Sequence, residues 1–99
     1  MPRLEGTWTG SEDEQGTQRY LTVNFRGTTG TIAYEGIVTV SAPLRGVEEP
    51  RRGAVRFSVE VRGGLRYYSG RWDGRALKGA LSLDAAGAEN VGTFELRPR

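Results

Sequence analysis

The chain has 99 residues, 36% of them apolar, and a formal net charge of +2, a size that supports one core of modest extent. It contains neither cysteine nor histidine, which excludes disulfides, thiolate metal sites, thiol nucleophiles and every histidine-assisted nucleophile. No segment is apolar for long enough to cross a bilayer as a helix, and Met1-Pro2-Arg3-Leu4-Glu5-Gly6 lacks the apolar centre of a signal peptide; one cytoplasmic domain over residues 1–99, with no membrane partner, is expected.

Apolar and polar residues alternate along nearly the whole chain and no helical period persists, which reads as all-β. Strands are expected at 4–9, 18–26, 29–35, 37–43, 53–62, 65–73, 75–84 and 91–98. Their number and spacing predict an eight-stranded antiparallel up-and-down β-barrel, with a β-sandwich as the alternative.

In the first strand, Gly6-Thr7-Trp8 puts a glycine and a large ring on one face. The same spacing recurs at Gly30-Thr31-Ile32, Gly70-Arg71-Trp72, Gly79-Ala80-Leu81 and Gly92-Thr93-Phe94. The acidic run Glu12-Asp13-Glu14 reads as a loop tip. Next, Gly27-Thr28 as a two-residue hairpin loop sets Phe25 opposite Gly30, Val23 opposite Ile32 and Leu21 opposite Tyr34. The turn at Glu35-Gly36 leaves two facings open: Ile37, Thr39 and Ser41 inward, or Val38 and Val40 inward.

Ala42 to Gly53 carries Pro43 and Pro50 around Leu44-Arg45-Gly46-Val47-Glu48-Glu49 and is expected to be a loop, because proline sits badly in an interior strand; it is either a plain long connection or the chain's best candidate for a functional loop. Gly63-Gly64 as a hairpin loop sets Val61 opposite Arg66, Val59 opposite Tyr68, Phe57 opposite Gly70 and Val55 opposite Trp72. Asp73-Gly74, a favoured type I′ pair, sets Gly70 opposite Leu77 and Tyr68 opposite Gly79. All three loops bring a ring across from a glycine on the apolar face, so Gly30, Gly70 and Gly79 are expected to receive Phe25, Phe57 and Tyr68.

Arg51, Arg52, Arg56, Arg62, Arg66, Arg71 and Arg75 against Glu60 and Asp73 give residues 51–75 an excess of five positive charges (seven minus two). Such a face suits phosphate, but the arginines interleave with serine and glutamate and no nucleic-acid motif accompanies them. A solvated exterior is expected, and nucleic acid is disfavoured as a partner. The outward set Arg56, Ser58, Glu60 and Arg62 also argues against a membrane barrel.

Twelve carboxylates remain for acid, base or metal chemistry. Glu60 and Glu95 face outward and Glu35, Asp73, Asp84 and Glu89 fall at loops, so none is placed where burial would tune an acid. No catalytic residue, metal ligand or cofactor is assigned. The inner face is aromatic: Trp8, Phe25, Tyr34, Phe57, Tyr68, Trp72 and Phe94. A ligand pocket built from it would use Trp8, Tyr34, Tyr68 and Trp72, with Arg75 inward opposite Trp72; otherwise the same rings simply fill the core.

Leu4-Glu5-Gly6-Thr7-Trp8 resembles the opening of the calycin superfamily, the lipocalins, fatty-acid-binding proteins and avidins, whose first strand carries G-x-W. Gly92-Thr93-Phe94-Glu95-Leu96-Arg97 resembles their closing strand, and Arg97 is the nearest match to the lipocalin arginine that packs over the first-strand tryptophan. The chain is shorter than a lipocalin, and Ser11-Glu12-Asp13-Glu14-Gln15 has no counterpart of the avidin residues that grip biotin. The resemblance implies a barrel binding a small apolar or aromatic molecule. Two alternatives stand beside it: an accessory or protein-interaction domain with a structural core, paired with its own copy or a parent protein, and a cyclase-type barrel enzyme acting by shape. A solvent-reaching interior cavity of roughly 300 Å3 or more would favour the ligand.

Overall fold

The computed structural model describes residues 4–35, 40–61 and 64–99. Its strands are β1 (Glu5–Glu14), β2 (Thr17–Arg26), β3 (Thr29–Glu35), β4 (Val40–Glu48), β5 (Ala54–Val61), β6 (Gly64–Trp72), β7 (Leu77–Ser82) and β8 (Asn90–Pro98). They form a closed antiparallel barrel in chain order, with β1 pairing β8, as the alternation predicts.

The inner face is filled. Val23, Val55, Val59, Leu77, Leu81 and Leu96 have no exposed surface. Through the centre run the rings of Trp72, Trp8, Phe25, Phe57, Tyr68 and Phe94, each touching the next; Phe57 and Tyr68 stack at 4.8 Å and the other contacts are edge-on. The interior is thus a packed core, with no calyx running through it.

The β2–β3 register is the expected one, with Phe25 opposite Gly30 and Leu21 opposite Tyr34. The next two hairpins differ by two residues. Val61 pairs with Gly64, Phe57 with Tyr68 and Val55 with Gly70, because Gly64 already belongs to β6; Gly63 lies outside the described residues. Between β6 and β7, Trp72 pairs with Leu77 and Tyr68 with Leu81. The Asp73 carboxylate causes this second shift. It accepts the N–H groups of Arg75 and Ala76, both at 2.9 Å, while the Asp73 N–H donates to the Ala76 carbonyl at 3.1 Å. Those bonds close a loop over 73–76 and hold the Asp73 carboxyl down to about 2. Because strand faces alternate with a period of two, a two-residue shift changes partners but preserves the facing of every residue that stays within a strand.

The glycine contacts change accordingly. Gly70 and Gly79 face each other, and the ring over Gly70 is Phe94, from neither adjacent strand. A methyl group on Gly70 would lie 2.7 Å from Phe94 Cζ and 3.3 Å from Leu77 Cγ.

The expected loop from Ala42 is strand as far as Glu48. Pro43 stands at the last pair of the β3–β4 ladder, opposite Thr31, just before Leu44 takes up pairing with Val59 of β5. A proline at this changeover sacrifices little hydrogen bonding. Between Arg45 and Glu48 the strand advances three residues while β5 advances two, from Ser58 to Arg56. Gly46, at φ +60°, sits in this bulge. The extra residue lets both Leu44 and Val47 point inward. Upstream, Val40 and Ala42 share the phase of Leu44, and Ser41 is exposed; Ile37, Val38 and Thr39 lie outside the described residues.

Candidate functional site

A polar cluster occupies the barrel end toward which β1 runs. There the inward phase of four strands ends in polar residues: Glu12 and Glu14 on β1, Arg19 on β2, Tyr34 on β3, and Arg66 and Tyr68 on β6. Together with Val40 and Val61, all of these except Tyr68 line a half-open pocket of about 30 Å3. A pocket of this volume holds one or two water-sized groups.

Glu12 is the anchor. It is 3% exposed, and burial of a carboxylate is costly unless its oxygens are paired. Directly across the β1–β2 ladder stands Arg19, whose Nη1 donates to Glu12 Oε2 at 2.9 Å. The Tyr68 hydroxyl donates to Glu12 Oε1, and the Tyr34 and Tyr68 hydroxyls are bonded at 2.7 Å. Since β1, β3 and β6 are not neighbours, these bonds cross the barrel interior. Arg66 Nε donates to Glu14 Oε1 at 2.8 Å, and Arg19 Nη1 lies 3.9 Å from the same oxygen. Two carboxylates and two guanidiniums leave the cluster formally neutral.

Burial dominates the acidity of both tyrosines. It pushes the Tyr34 hydroxyl up to about 12, and burial reinforced by the negative charge of its neighbours raises Tyr68 still further. Both therefore act as neutral hydroxyls at physiological pH. Arg66 is raised by its bond to Glu14. Chemically, the mouth offers a polarised chain of hydroxyls ending on a carboxylate, flanked by guanidinium donors and two valine side chains. Among the described residues, no group of three or more carboxylates is arranged to hold a metal ion.

The residues anticipated as one pocket fall at three places. Tyr34 and Tyr68 meet at this mouth. Trp8 and Trp72 touch edge-on at 5.8 Å toward the opposite end, where Trp8 Nε1 is buried without a hydrogen-bond partner among the described residues. Arg75, expected inward opposite Trp72, is exposed in the 73–76 loop, and Leu77 occupies that pairing position. Arg97 takes the outward phase and pairs with Glu95 at 3.1 Å. The basic residues Arg51, Arg52, Arg56, Arg71 and Arg75 are all exposed, as a solvated exterior requires.

Glu12, Glu14 and Arg19 were not anticipated, because the first strand was expected to end at residue 9 and the acidic run was assigned to a turn. Phase holds the missing signal. Counting by twos from Trp8 reaches Glu12 and Glu14, and counting back from Leu21 reaches Arg19. Comparison with protein-family models, curated proteins and solved structures finds no match to this chain.

Proposed function

We propose that the chain is a small-molecule-binding barrel whose ligand enters the Glu12–Tyr34–Tyr68 mouth, placing a small polar head in the pocket and an apolar or aromatic body against Val40 and Val61. The observation that carries this reading is the buried Glu12. A barrel of this size gains little by burying a carboxylate, since an apolar residue of similar volume is often as stabilising or more so. Clustered hydroxyls, a buried charge and a partly enclosed space are instead the usual makings of a ligand site. The calycin-like first strand supports the same reading. The packed centre confines the ligand to the mouth.

The test is a titration of isotope-labelled protein with monocyclic phenols and short-chain alcohols, followed by amide shifts. Saturable changes should cluster at Glu12, Arg19, Tyr34, Val40, Val61 and Arg66, leaving the indole N–H signals of Trp8 and Trp72 nearly still. Changes confined to the tryptophan end, or none at millimolar ligand, would refute the assignment.

A second reading draws on the same end of the barrel. The exposed large apolar residues Tyr20, Val40, Leu65 and Leu83 all lie near strand ends on this side, which suits an accessory domain that docks another protein there. Self-association that Leu65→Ser and Leu83→Ser abolish, with no small-ligand response, would favour it.

A further inference from the structure

We propose that this mouth selects ligands that donate a hydrogen bond, such as an alcohol, phenol or amine, over those that only accept one, such as an ether or ketone. This inference rests on the mouth being the ligand site. It follows from counting protons. Glu12, paired with the Arg19 guanidinium at 2.9 Å, is an ionised carboxylate and can only accept. The Tyr68 hydroxyl therefore spends its single proton on Glu12 Oε1.

At the 2.7 Å contact between the two hydroxyls, the proton must then come from Tyr34. The Tyr34 oxygen is left with lone pairs only, and Tyr34, unlike Tyr68, lines the pocket. Its proton is committed inward and its open side accepts. A ligand N–H or O–H completes the chain. A ligand carbonyl or ether oxygen would meet a Tyr34 oxygen with no proton to offer, unless Tyr34 gave up its bond to Tyr68, and would otherwise have to draw on Arg19 or Arg66, which are engaged with Glu12 and Glu14.

The direction of the whole chain is thus set at Glu12, two hydroxyls away from the ligand. Glutamine at this position would reverse it. Arg19 can only donate, so it would hold the amide oxygen, and the amide NH2 would face Tyr68. Tyr68 would then donate to Tyr34, and Tyr34 would donate into the cavity. Glu12 and Tyr68 are accordingly positioning residues for ligand polarity, and Tyr34 is the contact.

The experiment compares phenol, anisole and toluene, three ligands of similar shape that can donate, only accept, or do neither. Affinities are read from amide shifts at the mouth in the wild type, Glu12→Gln and Tyr34→Phe. In the wild type, phenol should bind about tenfold more tightly than anisole, as the gain or loss of one hydrogen bond implies, and anisole no better than toluene. Glu12→Gln should abolish or reverse the phenol preference. Tyr34→Phe should make the three ligands equivalent, and it decides the matter should Glu12→Gln not fold. Equal binding of phenol and anisole by the wild type overturns the donor rule while leaving the mouth as a site. A phenol preference that survives Tyr34→Phe also overturns it. Absence of any mouth response to all three overturns the proposed site, and the donor rule with it.

Discussion

Replacing Tyr68 by phenylalanine isolates what the hydroxyl chain contributes to stability, because the ring can stay where it is. Its stack on Phe57 at 4.8 Å and its edge contact with Phe94 at 5.2 Å do not involve the oxygen, so neither cavity nor overpacking enters. Two hydrogen bonds are lost. The one to the Glu12 carboxylate is charge-assisted and contributes about 1.5–3 kcal/mol, and the one from Tyr34 about 0.5–1.5 kcal/mol. Tyr68→Phe should therefore destabilise the barrel by about 2–4.5 kcal/mol, lowering Tm by roughly 10–25 °C in a domain of this size. Tyr34→Phe removes only the neutral bond and leaves Tyr68 on Glu12, so it should cost about 0.5–1.5 kcal/mol. Urea unfolding followed by tryptophan fluorescence measures both, with the midpoint shifted and the slope unchanged. If Tyr34→Phe proves as costly as Tyr68→Phe, or if Tyr68→Phe is neutral, Glu12 is not held through Tyr68 and the chain argued above does not exist.

Gly70→Val should cost about 1–3 kcal/mol through overpacking against Phe94 and Leu77. Gly46→Ala meets no atom within 4 Å, and its cost, about 1–2 kcal/mol, should come from the left-handed backbone alone; a Gly70→Val barrel as stable as the parent in the same urea assay would contradict this packing. The alkaline limb supplies a further check. The folded Tyr34 hydroxyl holds its proton up to about 12, against an unfolded value of 10.0. Its contribution is complete below pH 10 and is lost as pH rises toward 12, when the unfolded chain ionises first. Stability should fall by about 1.4 kcal/mol per pH unit from this group across that window, and more shallowly in Tyr34→Phe. A wild-type urea midpoint that does not move between pH 9 and 11.5 would show that Tyr34 is not buried as described.

The fold was legible because the alternation is strong: Val55, Phe57 and Val59, or Leu21, Val23 and Phe25, allow one inward face each. Partners were less legible than faces. Asp73-Gly74 has the composition of a two-residue turn, yet the Asp73 side chain, by accepting two backbone N–H groups, closes a longer loop and displaces Arg75 from the interior. Tyr34 and Tyr68 could be read as inward-facing, but their hydrogen bond spans strands that are not neighbours, and no local pattern reports such a contact. Glu12 was hidden for a different reason. Three consecutive acidic residues look like a solvated turn, and it is the arginine directly opposite on β2 and a tyrosine across the barrel that make the interior habitable for this carboxylate.

The bulge at Gly46 also constrains how this chain can change length. The one extra residue between Arg45 and Glu48 puts the two halves of β4 in opposite phase, so deleting Gly46 would restore unbroken alternation and keep both Leu44 and Val47 inward, whereas deleting a residue between Val40 and Pro43 would turn the upstream half over. Removing a residue from the loop at 49–53 would disturb no inward face. Length variation near β4 should therefore be confined to that loop and to the bulge itself, and a homologue lacking the bulge residue should still carry its apolar side chain where Val47 stands here.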